Sequence, residues 1–217
     1  MQNIKVVIFD LDGTLANTLP MCIAAFRKSV EPLTGNKVTD AEIVATFGPS
    51  EEGTIMALAP DHYDKGVASY LNYYEELHDM CPEPFEGIRE LLELLKSRGV
   101  KLAMVTGKGK RSAEISMSRF GISHYFEKTE TGDPKGPRKV EGIRNCLEYF
   151  GNPDSEEVIY VGDSPSDIGS CREAGIPIAA AAWAETAEPE ALKAGAPDVL
   201  FYKVSEFFDW LEPRTIR

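Results

Sequence analysis

Asp10 and Asp12 stand two positions apart at the end of an apolar run, in IKVVIFDLDGT. On an extended chain such neighbours point to the same side, so their carboxylates are expected together. Like charges that close resist joint ionisation unless a cation sits between them or one keeps a proton. A hard divalent ion meets that need, and Mg²⁺ commonly shares a few carboxylates with a substrate phosphate. Alone, the pair could simply cap a turn. Two further stretches carry similar cargo: VTGK brings Thr106, Gly107 and Lys108, and VGDSPSD brings Gly162, Asp163, Ser164 and Asp167. In open parallel sheets ligands bind beyond the carboxyl ends of the strands. Four carboxylates, a hydroxyl and glycines at one such edge suit metal-assisted chemistry on a phosphoryl group. A carboxylate attacks phosphorus only when charge repulsion is masked, and the equatorial oxygens need donors as well as a cation.

The elements that must position these groups are legible in the spacing of apolar residues. IKVVIF, VKLAMVTG and EEVIYVGD read as buried parallel strands, and IPIAAAAW more weakly. Between them lie helical patterns: IRELLELLKSRG with Gly99 as its stop, KVEGIRNCLEYFG with Gly151, and the shorter PSDIGSCREAGI. The alternation predicts an α/β fold, a three-layer α/β/α Rossmann-like core around a parallel sheet. Residues 16–84 interrupt it. PMCIAAFRKSV, TDAEIVATFG and HYDKGVASYLNYYEELHDM read as helices. The second opens with a Thr39–Glu42 capping box and is expected to stop at Gly48. Tyr70, Tyr73 and Tyr74 are expected to pack between helices. CPEPFEG then supplies a boundary. The expected division is a catalytic core of residues 1–15 and 85–217, with an all-helical cap of residues 16–84 inserted after the first strand.

DLDGT, VTGK and VGDSPSD together resemble the haloacid dehalogenase superfamily, whose members are mostly phosphatases. The insert resembles the cap of its phosphoglycolate phosphatase and β-phosphoglucomutase branch. The resemblance implies that Asp10 is a nucleophile forming an aspartyl-phosphate, and that Asp12 protonates the leaving oxygen and then activates water. It implies that Thr106 holds a phosphoryl oxygen. Mg²⁺ would be bound by Asp10, Asp163 and the backbone carbonyl of Asp12, with Asp167 in support. Gly13, Thr14 and Gly107 fall in the phosphate-binding set. One lysine is also called for; Lys139, which directly precedes a strong helix, is preferred to Lys135 in PKGP. FGPSEEGT reads as the specificity loop, with Pro49 and Ser50 facing the substrate. Many relatives carry Asp where this chain has Asn17, which removes a negative charge near the substrate.

The 217 residues include 23 basic and 35 acidic side chains, a net charge of -12. That balance disfavours nucleic acid as a partner, while a metal and one or two lysines can reverse the local sign for a small phosphorylated metabolite. No apolar stretch approaches a membrane span, and no basic segment leads into an apolar run; a cytoplasmic protein, monomer or homodimer, is expected. Four scattered cysteines read as buried free thiols. The three histidines read as surface or packing residues. The expected activity is Mg²⁺-dependent hydrolysis of a small phosphomonoester such as phosphoglycolate, a sugar phosphate or a nucleoside monophosphate. The alternatives are an inorganic pyrophosphatase, a phosphomutase, a phosphoacceptor signalling module and a non-catalytic binding protein.

Overall fold

A computed structural model describes residues 3–215. Its six strands form one parallel sheet: β1 (Val6–Phe9), β2 (Lys101–Val105), β3 (Lys128–Glu130), β4 (Val158–Gly162), β5 (Ile178–Ala181) and β6 (Val199–Phe201), in the order β3-β2-β1-β4-β5-β6. The strand order reverses at β1, which is where open sheets of this kind bind ligands. Phe9 pairs with both Met104 and Val161. Asp10 follows Phe9 at once, and Thr106 and Asp163 follow Met104 and Val161 two positions on, so the three polar strand ends leave the sheet at nearly the same level.

Alternation along each strand divides the core. Val7, Phe9, Leu102 and Met104 face one side, where they meet helices α5 (Ile88–Ser97), α6 (Lys110–Arg119) and α10 (Val204–Leu211). Val6, Ile8, Ala103 and Val105 face the other, against α7 (Lys139–Tyr149), α8 (Pro165–Ala174) and α9 (Pro189–Ala194). This is the expected three-layer core. The edge strands β3 and β6 have three residues each. Neither carries the long apolar run of the central strands, and neither stands out in the sequence.

Between β1 and β2 the described residues contain no strand. Ahead of α5 they form α1 (Leu19–Thr34), α2 (Asp40–Val44), α3 (Glu51–Leu58) and α4 (Tyr63–Glu76). These helices enclose their own apolar cluster, centred on Met21, Phe26, Ile43, Ile55, Tyr70 and Tyr74. Phe26 and Tyr70 stack with ring centroids 4.1 Å apart, so the tyrosine face packs as expected. Gly66 lets α4 approach α3, since a Cβ there would fall 2.6 Å from Ile55. The chain returns where it left: the Phe85 N–H donates to the Leu15 carbonyl at 3.0 Å.

The capping box of α2 is present, but the helix ends at Val44, short of Gly48. Thr46 turns its hydroxyl to the Ile43 carbonyl at 2.6 Å, and Gly48 takes φ +134° beside Pro137. Reaching the core at Pro137 overrides local helical propensity. The aromatic helix likewise gives way after Glu76 to a single 3₁₀ turn, Leu77–Met80. All four cysteines are free and buried. His78 is buried and bonded to Ser116 at 3.1 Å, whereas His62 and His124 are exposed.

Candidate active site

The first strand ends in a buried acid. Asp10 accepts the Leu11 N–H at 2.7 Å and the Lys139 ammonium at 2.5 Å. Lys139 stands at the start of α7, directly below the sheet edge, and also donates to Asp167 at 2.5 Å. Burial pushes the Asp10 carboxyl up to about 6; the Lys139 cation opposes the rise and the Asp167 charge adds to it. Burial alone would lower Lys139, but Asp10 and Asp167 outweigh it and hold the ammonium above its ordinary range.

Asp167 is fixed from behind. It accepts the Ser164 N–H at 3.1 Å in the capping box of α8, and the Tyr160 hydroxyl lies 3.1 Å from its other oxygen. Asp163 arrives from the end of β4 and takes a long contact, 3.5 Å, from the Thr14 hydroxyl. Burial raises its carboxyl well above the usual range, and the charges of Asp10 and Asp167 add to that. One oxygen from each of Asp10, Asp163 and Asp167 falls within a common 4.8 Å. Gly13 makes this possible: its φ is +72°, and a Cβ would lie 2.0 Å from Asp163 Oδ2.

Asp12 turns to the opposite wall. Its Oδ1 accepts the Thr18 hydroxyl and lies 3.1 Å from Lys108 Nζ. Lys108 is buried, 3.0 Å from the Cys22 sulfur and 4.5 Å above the Tyr74 ring. Burial would lower its pKa, but the Asp12 carboxylate and nearby groups raise it well above normal. Burial also pushes the Cys22 thiol up to about 11. Thr106 is buried at the end of β2, its hydroxyl accepting the Lys108 N–H at 3.2 Å. Asp10, Asp12, Gly13, Thr106, Gly107, Lys108, Lys139 and Asp163 all line one cavity of about 580 Å³, between the sheet edge and the helical insert.

The sequence profile described as "Haloacid dehalogenase-like hydrolase" matches residues 7–181. The chain belongs to the haloacid dehalogenase-like hydrolases. It is 33% identical over 207 residues to the pyrophosphatase PpaX of Bacillus pumilus, covering 94% of this chain and 95% of that protein. A haloacid dehalogenase-like hydrolase of Streptococcus pneumoniae superposes with TM-score 0.78 at 28% identity, over 97% of this chain and all of the other. A predicted phosphoglycolate phosphatase of Haemophilus somnus shares the fold, with TM-score 0.79 at 22% identity, over 97% of this chain and 99% of the other. Family and site together make the chain a hydrolase of the phosphatase type.

The hydrolase's acidic cluster suits a hard divalent cation. Its donors are all carboxylate oxygens, they are close enough to share one ion, and burial holds Asp10 and Asp163 toward their protonated forms in its absence. Asp167 also serves Lys139, Tyr160 and Ser164. Gly13→Ala is expected to crowd Asp163 and cost about 10–100-fold in Mg²⁺-dependent turnover, in line with loss of metal-ligand support. A near-normal rate in that variant would show that the packing at Gly13 is not needed.

Not every residue expected at the site reaches the cavity. Lys135 is exposed, its N–H bonded to its neighbour Asp133 at 2.8 Å. Thr14 supports Asp163 with its hydroxyl, and its carbonyl accepts the Trp183 Nε1–H at 3.0 Å. Pro49 lines the cavity but Ser50 does not: its N–H donates to the Asp133 carbonyl at 3.0 Å and its hydroxyl contacts Glu52 at 2.5 Å. Glu51, one residue further on, takes that place on the wall. Glu51, Arg138 and the pairing of Lys108 with Asp12 escape a sequence reading. The only local hint was the position of Lys108, two residues after Thr106.

Proposed function

We propose that the chain hydrolyses a small phosphomonoester through an aspartyl-phosphate, with residues 16–84 acting as a cap over the reacting groups. Asp10 is the nucleophile in this reading. One of its oxygens bonds to phosphorus while the bond from phosphorus to the leaving oxygen breaks, and Asp12 gives that oxygen its proton. Water then attacks the same phosphorus and returns a proton to Asp12. The bond to Asp10 breaks, releasing inorganic phosphate and restoring both acids. Thr106 and the backbone around Gly107 orient the phosphoryl oxygens, and Lys139 orients Asp10 while adding positive charge beside it. Mg²⁺, held by Asp10, Asp163 and the Asp12 carbonyl with Asp167 behind, would mask repulsion between the nucleophile and the phosphoryl group. The cap would exclude bulk water and select the leaving group.

The observation that carries this reading is the placement of Asp10, Asp12, Thr106, Lys139 and Asp163 around a single cavity at the reversal of strand order. The experiment is phosphate release from p-nitrophenyl phosphate and a panel of small phosphoesters with Mg²⁺. Pyrophosphate belongs in the panel, because pyrophosphatases are among the chain's relatives. A sugar phosphate should release free phosphate rather than yield its isomer.

The choice of lysine is tested in the same assay. Lys139→Ala should lower turnover at saturating substrate by about 10²–10³-fold, the scale of losing one preorganised electrostatic group. Lys135→Ala should remain within about twofold of wild type, as an exposed charge would. A greater loss from Lys135→Ala would reverse the assignment.

A further inference from the structure

Glu51 is only 4% exposed, yet it lies on the wall of the cavity. Its Oε2 accepts the Gly109 N–H at 2.6 Å, at the start of α6. Its Oε1 is buried with no hydrogen-bond partner. A buried carboxylate oxygen left unpaired is costly, more so than a neutral group. The neighbouring glycine accommodates the arrangement: a Cβ on Gly109 would sit 2.7 Å and 2.8 Å from the two carboxylate oxygens. The carboxylate's field is felt at Cys22 and Tyr70 across the same chamber.

The cavity's cations are all committed. Among the described residues its wall holds Lys108, Arg138 and Lys139. Lys108 faces Asp12, Cys22 and the Tyr74 ring. Arg138 pairs with Glu141 at 2.6 Å and reaches Glu130 at 3.6 Å. Lys139 is shared by Asp10 and Asp167. A second anionic group on a substrate would find no uncommitted cation and would meet the Glu51 charge. A hydrogen-bond donor reaching this wall would meet an acceptor with no partner of its own.

We propose that Glu51 determines specificity: the leaving group carries a hydroxyl or ammonium donor for this carboxylate and no second anionic group. Polyol phosphates and aminoalkyl phosphates fit; phosphoglycolate and pyrophosphate do not. The inference rests on the phosphatase reading above and deepens it. A cavity of about 580 Å³ has room for a leaving group of this size beside the phosphoryl group. Discrimination by a buried group that needs a partner is strong, because the wrong ligand leaves it unpaired.

The test compares kcat/KM for glycerol 2-phosphate and phosphoethanolamine with kcat/KM for phosphoglycolate and pyrophosphate, with Mg²⁺ throughout. Wild type is expected to favour the donor-bearing pair by at least about tenfold. Glu51→Gln removes the charge and should shrink that ratio about tenfold. Gly109→Ala leaves the charge in place but pushes the carboxylate off its seat, and should shrink the ratio similarly. A ratio measured on one preparation does not depend on its folded fraction, so partial unfolding of a variant does not blur the outcome. Greater loss toward phosphoethanolamine than toward glycerol 2-phosphate assigns the donor as ammonium; the reverse assigns a hydroxyl. Wild type that hydrolyses p-nitrophenyl phosphate but favours phosphoglycolate or pyrophosphate overturns the role of Glu51 and leaves the phosphatase reading standing. Unchanged ratios in both variants do the same. Absence of phosphate release from every substrate, p-nitrophenyl phosphate included, overturns both.

Discussion

Asp10→Asn is expected to reduce phosphate release by about 10⁴-fold or more while leaving the fold intact. An amide of the same shape keeps the Leu11 N–H contact but is a far weaker nucleophile, and removal of a covalent nucleophile typically costs most of the rate enhancement. Stability should change little. The variant loses an ion pair with Lys139, but it also loses a buried charge crowded by Asp163 and Asp167, and Lys139 keeps Asp167. The thermal midpoint is expected within about 4 °C of wild type, the scale of roughly 1 kcal/mol in a chain of this length. Acid-quenched wild type should carry label from a radiolabelled phosphoryl substrate, and the variant none. Full turnover in Asp10→Asn would remove Asp10 as the nucleophile, however well it sits in the cluster.

The core could be read from the sequence because one physical signal was strong in it. β1, β2 and β4 are buried on both faces, so each is a nearly unbroken apolar run, and the polar residues that end it mark the sheet edge. Lys139 was visible because a helix start is a local feature. The edge strand β3 was not: KTE has only three residues, with Lys128 and Glu130 paired to each other at 2.9 Å on a polar rim. Glu51 and the partners of Lys108 were hidden for a different reason. Glu51 meets Gly109 across 58 positions of sequence, and Lys108 meets Cys22 across 86. These contacts exist only once the helical insert folds back over the core, and no periodicity encodes them. Ser50 shows the same limit from the other side. The FGPSEEGT loop suggested that Ser50 faces the substrate, but its N–H is taken by the Asp133 carbonyl. Which face of a loop meets a cavity is a tertiary outcome.

Mg²⁺ should stabilise the protein more at pH 8 than at pH 5, and EDTA should silence it. Asp10 binds its proton more tightly in the folded chain, with its carboxyl raised by burial to about 6 from 3.8, and Asp163 is raised in the same direction. Protonation is therefore what the metal-free fold prefers: the stability Asp10 contributes is fully present below about pH 4 and is lost as pH rises through about 6, and Asp163 acts in the same direction. As Asp10 and Asp163 lose their protons, they and Asp167 face one another across the cluster, with Lys139 as the cation between Asp10 and Asp167. A divalent ion replaces the missing protons, so its binding is tighter where the acids are already ionised. At 100 times its dissociation constant a ligand adds about 2.7 kcal/mol, which for a chain of this length raises the thermal midpoint by roughly 5–10 °C. That rise is expected at pH 8, a smaller one at pH 5, and almost none at either pH in Asp163→Asn, which lacks one charged ligand. Acids away from the site such as Glu31 and Glu42, whose pKa values are lowered by hydrogen bonds from Lys37 and Thr39, shift with pH in the opposite sense. They do so with and without metal, so the difference between Mg²⁺ and EDTA scans isolates the cluster. An equal Mg²⁺ effect at both pH values, or one that survives Asp163→Asn, would place the ion elsewhere, and turnover undiminished by EDTA would remove the metal from the chemistry.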